Sequence, residues 1–189
     1  MGYTTWFTGS FQFNKPVSDG LKEYINKFSS IRHMKRDAEK IKEIYPNWEK
    51  ECFLKNLGID GEFFIGGDGV YGRVDKSILD NNRPGGSCPE LWCQWIIDDN
   101  GDLAWDGGEK FYGYVEWLEY LIKCFFEPCG YVLNGEVEFQ GEDEDDFGII
   151  KVKENKVDVS YGIRWVDVDS IDTKDLIDIL ESRGYTVTM

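Results

Sequence analysis

Residues Val132 to Trp165 read VLNGEVEFQGEDEDDFGIIKVKENKVDVSYGIRW, and this stretch decides the fold. Val157, Val159, Tyr161 and Ile163 alternate with Asp158, Ser160 and Gly162, the two-residue period of a strand with one buried face. Val132 to Gln140 and Phe147 to Lys153 have strand length, and Glu154-Asn155 turns the second into Val157 to Trp165. An antiparallel meander is expected.

Upstream, Leu91 to Ile97 and Asp102 to Trp105 flank Asp98-Asp99-Asn100-Gly101, and Asn-Gly between apolar runs signals a hairpin. Asp106-Gly107-Gly108-Glu109 has capping-box spacing and predicts a helix over about Lys110 to Phe126. Its stripe is Phe111, Tyr114, Val115, Leu118, Leu121, Ile122 and Phe125, and Pro128 ends it. Trp117, Tyr112, Tyr120 and Phe126 widen that stripe until most sides call for cover.

At the N-terminus, Tyr3 to Phe13 reads as an aromatic-rich strand. Ser18 or Asp19 caps a helix carrying Leu21, Tyr24, Ile25 and Phe28. Met34, Ala38 and Ile41 continue at helical spacing, and Asn47 can cap a short helix ended by Gly58. Phe63 to Ile65 reads as a short strand followed by a glycine-rich loop, Gly66 to Gly72, with Asn81 to Gly86 as a second loop just downstream. Asp172 caps a final helix through Leu176, Ile179 and Leu180, before a strand over Tyr185 to Thr188. These elements predict one α+β domain over 1–189: a mostly antiparallel sheet with helices packed on it, residues 160–189 forming a less typical extension.

Composition narrows the function. The 189 residues carry 36 Asp and Glu against 21 Lys and Arg, a net charge of −15, and aromatics make up 15%. An aromatic-rich chain is not of the disordered class. The longest apolar candidate, Tyr120 to Phe126, contains Lys123 and falls far short of a membrane span. No secretory signal is visible at Met1 to Trp6, and five cysteines make an odd count, so a reduced, cytoplasmic protein is expected. The negative field disfavours direct nucleic-acid binding. The charge is uneven: residues 1–56 hold 10 basic and 7 acidic groups, a net of +3, and residues 57–189 hold 11 and 29, a net of −18.

Several patterns invite chemistry. Gly67 to Gly72 matches G-x-G-x-x-G, yet no helix pattern opens behind it to receive a pyrophosphate. Placing Gly101 at the glycine position of a calcium loop puts Ile96 and Gly107 where acids are required, so that motif fails. Cys88/Cys93 and Cys124/Cys129 share a spacing from which a zinc site can be drawn, against buried inert thiols; with Cys93 in a strand-like run and Cys124 in a helix, no metal and no cofactor are expected.

Two anion-directed or cation-directed surfaces remain. Arg32, Lys35 and Arg36, with Asp68, Gly69, Trp92 and Gln94, could enclose a small anionic, nucleotide-like ligand, since Arg forms forked bonds to phosphate. The bland alternative is a helix face paired with neighbouring acids. Glu136, Glu138, Glu142, Asp143 and Asp145 could imitate a phosphate track toward a host protein that binds nucleic acid, against a simple solvated loop.

LWCQW at Leu91 to Trp95, WDGGEKFYGYVEWLEYLI at Trp105 to Ile122 and GYVLNGEVEFQGED at Gly130 to Asp143 together resemble a family of small uncharacterised proteins of bacteriophage and bacterial genomes. Met34 to Asp37 and Phe63 to Gly69 fit the same pattern, and the resemblance covers roughly Gly2 to Val159. It implies a phage or prophage accessory protein that antagonises a host function or defence by binding, and supplies no catalytic residues. Two alternatives stand beside it: a carboxylate-metal hydrolase using Asp68, Asp106 or the acidic loop, and an interaction protein that forms a homodimer through its aromatic patch.

Overall fold

The chain is represented by a computed structural model that describes residues 2–67, 75–162, 172–174 and 177. Its strands are β1 (Thr5–Phe13), β2 (Met34–Arg36), β3 (Ile78–Pro84), β4 (Trp95–Ile97), β5 (Leu103–Trp105), β6 (Leu133–Gly141), β7 (Phe147–Lys153) and β8 (Lys156–Tyr161). Its helices are α1 (Asp19–Ser29), α2 (Ala38–Ile44) and α3 (Tyr114–Leu121). Six strands form one sheet in the order β4-β5-β1-β6-β7-β8, and every neighbouring pair is antiparallel. The protein is α+β, as the patterning predicts.

The meander forms where the alternation places it. Glu154-Asn155 makes the β7–β8 turn with both residues in the left-handed region, φ 51° and 67°, and Ile150 pairs with Val159. On the helix-facing side, Phe7 and Phe11 of β1 join Val137, Phe139, Ile150 and Val152. Leu21, Tyr24, Ile25 and Phe28 of α1 and Trp117, Leu118 and Leu121 of α3 close the core over them. Each such side chain contributes roughly 1.5–3 kcal/mol through burial. Gly9 and Gly135 lie on the paired strands β1 and β6 at φ 109° and 138°, each where a Cβ would stand 2.8 Å from the other strand's carbonyl oxygen. Only glycine lets the two backbones meet there.

The 98–101 hairpin also forms, with Trp95 opposite Trp105 and Ile97 opposite Leu103. Its first strand is shorter than the apolar run suggests, since Leu91 to Gln94 are not strand. Gln94 is instead held by side-chain bonds: its Nε2 donates to Glu109 O at 2.8 Å, and Trp105 Nε1 donates to its Oε1 at 3.0 Å.

The expected capping box does not form. Asp106 Oδ1 accepts from Gly108 N at 2.7 Å in a local turn, and Gly107 and Lys110 both have positive φ, 84° and 60°. That backbone cannot enter a right-handed helix, so α3 begins only at Tyr114, after Gly113 at φ 62°. Trp95 Nε1 ties this start to the hairpin by donating to Tyr114 O at 2.8 Å. The helix continues through a π turn over Ile122–Phe126 and a 3-10 turn at Glu127–Cys129 with Pro128 at its start. Trp117, Tyr120 and Phe126 are buried as their width demands, while Tyr112 precedes the helix and is exposed.

Ser18 caps α1 by accepting from Leu21 N. Four other local expectations are corrected. Met34 begins β2 rather than a helix, and Asn81 to Pro84 belong to β3, which pairs with β2. Backbone partners from a distant segment override the weak helical spacing there. Phe63 to Ile65 forms no strand beyond a single bridge between Cys52 and Phe64. Asn47 makes no side-chain cap for the 3-10 turn at Trp48–Glu51. A satellite cluster of Ile41, Cys52, Leu57 and Phe64 packs beneath α2. The final helix and strand, and Ile163 to Trp165, lie outside the described residues apart from isolated positions at 172–174 and 177. Among the described residues no helix is long and apolar enough to cross a membrane.

Candidate functional site

The cationic residues of β2 turn inward or sideways. Arg36 is only 5% exposed; its Nη1 donates to Asp75 Oδ2 and Ser77 Oγ, both at 2.7 Å, and its guanidinium lies over the Phe64 ring. Tyr45 OH donates to the same Asp75 oxygen at 2.9 Å. Burial pushes the Asp75 carboxyl up, but hydrogen bonds from Ser77 and Arg36 outweigh it and hold the group at about 2. Lys35 pairs with Asp60 at 3.3 Å. Arg32 Nε donates to Asn81 O at 2.9 Å, and its guanidinium stands over Trp92, 5.8 Å from the ring centre. Arg32 and Trp92 are therefore brought together, and Gln94 is buried in the Trp105 and Glu109 contacts. Asp68 and Gly69 lie outside the described residues.

His33, between these cations in sequence, is buried against Phe28 and Trp117, with ring centres 4.1 and 4.9 Å away. Burial lowers its pKa to about 3, so the ring is neutral near pH 7.

The thiols are likewise quiet. Burial raises Cys52 and Cys93 to about 12 and Cys88 higher still, so none is a ready thiolate near neutral pH. All five cysteines are free. Among the described residues no group of three or more His, Cys, Asp or Glu side chains could hold a metal ion.

The acidic residues behave differently. Glu142 to Asp146 form the β6–β7 turn, and Glu142, Asp143, Glu144 and Asp145 are all exposed. The turn is held from several directions. Tyr3 OH donates to Asp146 Oδ2 at 2.6 Å and its oxygen accepts from Asp143 N at 3.2 Å. Thr4 N donates to Glu142 Oε1 at 2.8 Å. Gln140 Nε2 bridges Gly141 O and Asp143 O, and Gly141 N closes onto Asp146 O at 2.7 Å. Tyr3 is raised chiefly by the hydrogen bond to Asp146.

Along β6, Glu136 and Glu138 sit on the face away from the core, about 6.8 Å apart by strand rise. Glu136 pairs with Lys151 across the β6–β7 ladder, and Glu138 is half-buried in register with Thr8 and Ile149. No ion pair among the described residues reaches Glu142, Asp143, Glu144 or Asp145. The structure thus joins all five predicted partner-binding acids on one hairpin, with its tip charged and its stem partly neutralised.

Several site-building residues escape sequence reasoning. Tyr3 and Thr4 reach the turn from 138 to 143 positions away in the chain. Asp75 and Ser77 fix Arg36 from 39 and 41 positions away. No local pattern signals contacts at such separation. Comparison with known proteins finds no matching family model, no matching curated protein and no matching solved structure.

Proposed function

We propose that the protein is a non-enzymatic binding protein that meets a cationic surface of a protein partner with its β6–β7 hairpin. One observation carries this reading. Two of the cations that could have served an anionic ligand are already paired, Arg36 with Asp75 in a buried contact and Lys35 with Asp60 at the surface. The carboxylates at Glu142 to Asp145, by contrast, are displayed on a turn already ordered by Tyr3, Thr4 and Gln140.

A rigid array of carboxylates offers a basic groove the charge of a phosphate track without paying the ordering entropy of a free loop. The negative field repels nucleic acid itself, so the complementary partner is a nucleic-acid-binding protein. With the resemblance of LWCQW and its companion segments to phage and bacterial proteins, the natural setting is a host cytoplasm in which a host function or defence is antagonised.

The test is capture from bacterial lysate followed by competition with duplex DNA. The partner should be retained at low salt, released as salt rises, and displaced by DNA. Charge reversal at Glu142, Asp143 and Asp145 together should abolish capture, whereas Lys35→Ala should preserve it. Capture that persists after charge reversal, or resists DNA, defeats the proposal.

A further inference from the structure

The six-stranded sheet has two unlike faces. One lies under α1 and α3 and holds the main core. On the other, Thr8, Glu138, Ile149 and Ser160 form one row across β1, β6, β7 and β8, each in register with the next. Thr8 at one end of this row is exposed, as is Lys151 beside Ile149. Ile149 is not: it is 7% exposed, yet it belongs to neither the main core nor the satellite cluster under α2. A side chain on an uncovered sheet face stands in water, so Ile149 requires a cover from the side opposite α1 and α3. Glu138, Gln140 and Phe147, which surround it on that face, each make a further contact besides those given above.

The chain leaves the sheet beside this row. Ser160 stands opposite Ile149. Two residues later Gly162 N donates to Phe147 O at 2.8 Å, and its φ of 70° ends the extended backbone. The remaining residues, 163–189, include Ile163, Trp165, Leu176, Ile179 and Leu180, the last three at the i, i+3, i+4 spacing of an apolar stripe. Within them Thr173, Lys174 and Ile177 are helical, Asp172 Oδ1 accepts from Lys174 N at 2.8 Å, and Ile177 is half-buried. Length is no obstacle. Even wholly helical, such a segment spans about 40 Å at about 1.5 Å per residue, more than the roughly 24 Å across six strands.

We propose that residues 163–189 are the cover. They return from Gly162 over the outer face of β8, β7 and β6, bury Ile149 beneath their apolar side chains, and bring Arg164 to complement Glu138. Tethering favours this occupant over a second copy of the chain, because a segment joined one strand away acts at a high effective concentration. The docked segment lies on the stem of the β6–β7 hairpin and leaves its exposed tip, Glu142 to Asp145, in water. The inference does not depend on that tip having a partner.

Photo-crosslinking of the full chain tests it, with p-benzoylphenylalanine in place of Lys151. The adduct should map to residues 163–189 of the same molecule. The same probe in place of Glu23, exposed on α1 across the sheet, should not reach that segment. Hydrogen exchange supplies a second readout: amides of 163–189 should exchange at least about tenfold more slowly than those of a free peptide of the same sequence. Ile149→Asp should remove most of that protection, and Leu176→Asp with Leu180→Asp should do the same without altering the sheet. Adducts confined to other segments, adducts joining two copies, or exchange at the free-peptide rate in the wild type overturn the proposal.

Discussion

Replacing Asp75 by Asn decides what Arg36 is for. In the wild type, the Asp75 carboxylate lies 2.7 Å from Arg36 Nη1 and accepts from Ser77 and Tyr45. Holding it at about 2, against roughly 3.9 in an unfolded chain, corresponds to about 2.6 kcal/mol of preference for the charged form. The side chain is 27% exposed, so screening lowers the share that reaches stability to about 2 kcal/mol. Removing the charge also leaves a buried guanidinium without its counter-ion, a change that costs about 3–5 kcal/mol where pairs are fully buried. Asp75→Asn should therefore lose about 2–4 kcal/mol in urea unfolding at pH 7. The pH dependence gives a second readout. A depressed carboxyl contributes stability that is full above pH 3.9 and disappears as pH falls through about 2, so wild type should lose stability across that window. Asp75→Asn should lack this component. A variant within 0.5 kcal/mol of wild type at pH 7, with the acid slope retained, would refute the reasoning and return Arg36 to the pool of ligand-binding cations.

Two further outcomes follow from buried polar groups. His33 is held at about 3 by burial, so the unfolded chain takes up a proton between roughly pH 6.5 and 3 that the folded chain does not. Stability should be full above pH 6.5 and fall by up to several kcal/mol as pH drops toward 3. His33→Phe, which also removes the unpartnered Nε2, should flatten that slope in acid-unfolding curves followed by tryptophan fluorescence; an unchanged slope would show the proton going elsewhere. Glu62 is buried and accepts from Ile59 N, from Ser87 N and Oγ, and from Tyr120 OH. Glu62→Gln places an amide among groups that all donate, so one of the Ser87, Ile59 and Tyr120 bonds must be lost with a donor facing a donor. A loss of about 2–4 kcal/mol is expected, and thermal denaturation within a degree of wild type would contradict the network.

Much of the scaffold is legible in order along the chain because its causes are local. The alternation from Val157 to Tyr161, the Asn100-Gly101 turn and the Leu21-Tyr24-Ile25-Phe28 stripe each carry their own geometry. Where sequence reading misses, a competing contact wins. Asp106 prefers its own turn to capping a helix. Asn81 and Asn82 look like loop residues, yet they sit in the irregular stretch of β3 between Asp80 and Pro84, which pair with Lys35 and Met34 of β2, and Met34 looks helical until β3 supplies that partner.

The same division governs function. The sequence by itself determined an α+β chain with its excess negative charge beyond residue 56, because period and charge count are properties of composition and order. Which charges face outward was decided only in three dimensions. Arg36 and Glu142 look equally available in the chain, but burial makes an unpaired guanidinium costly and so recruits Asp75 and Ser77 to it. The Glu142 turn pays no such desolvation cost: Tyr3 holds it through Asp143 N and Asp146, Thr4 N meets Glu142 Oε1, and the carboxylates of Glu142 to Asp145 remain exposed.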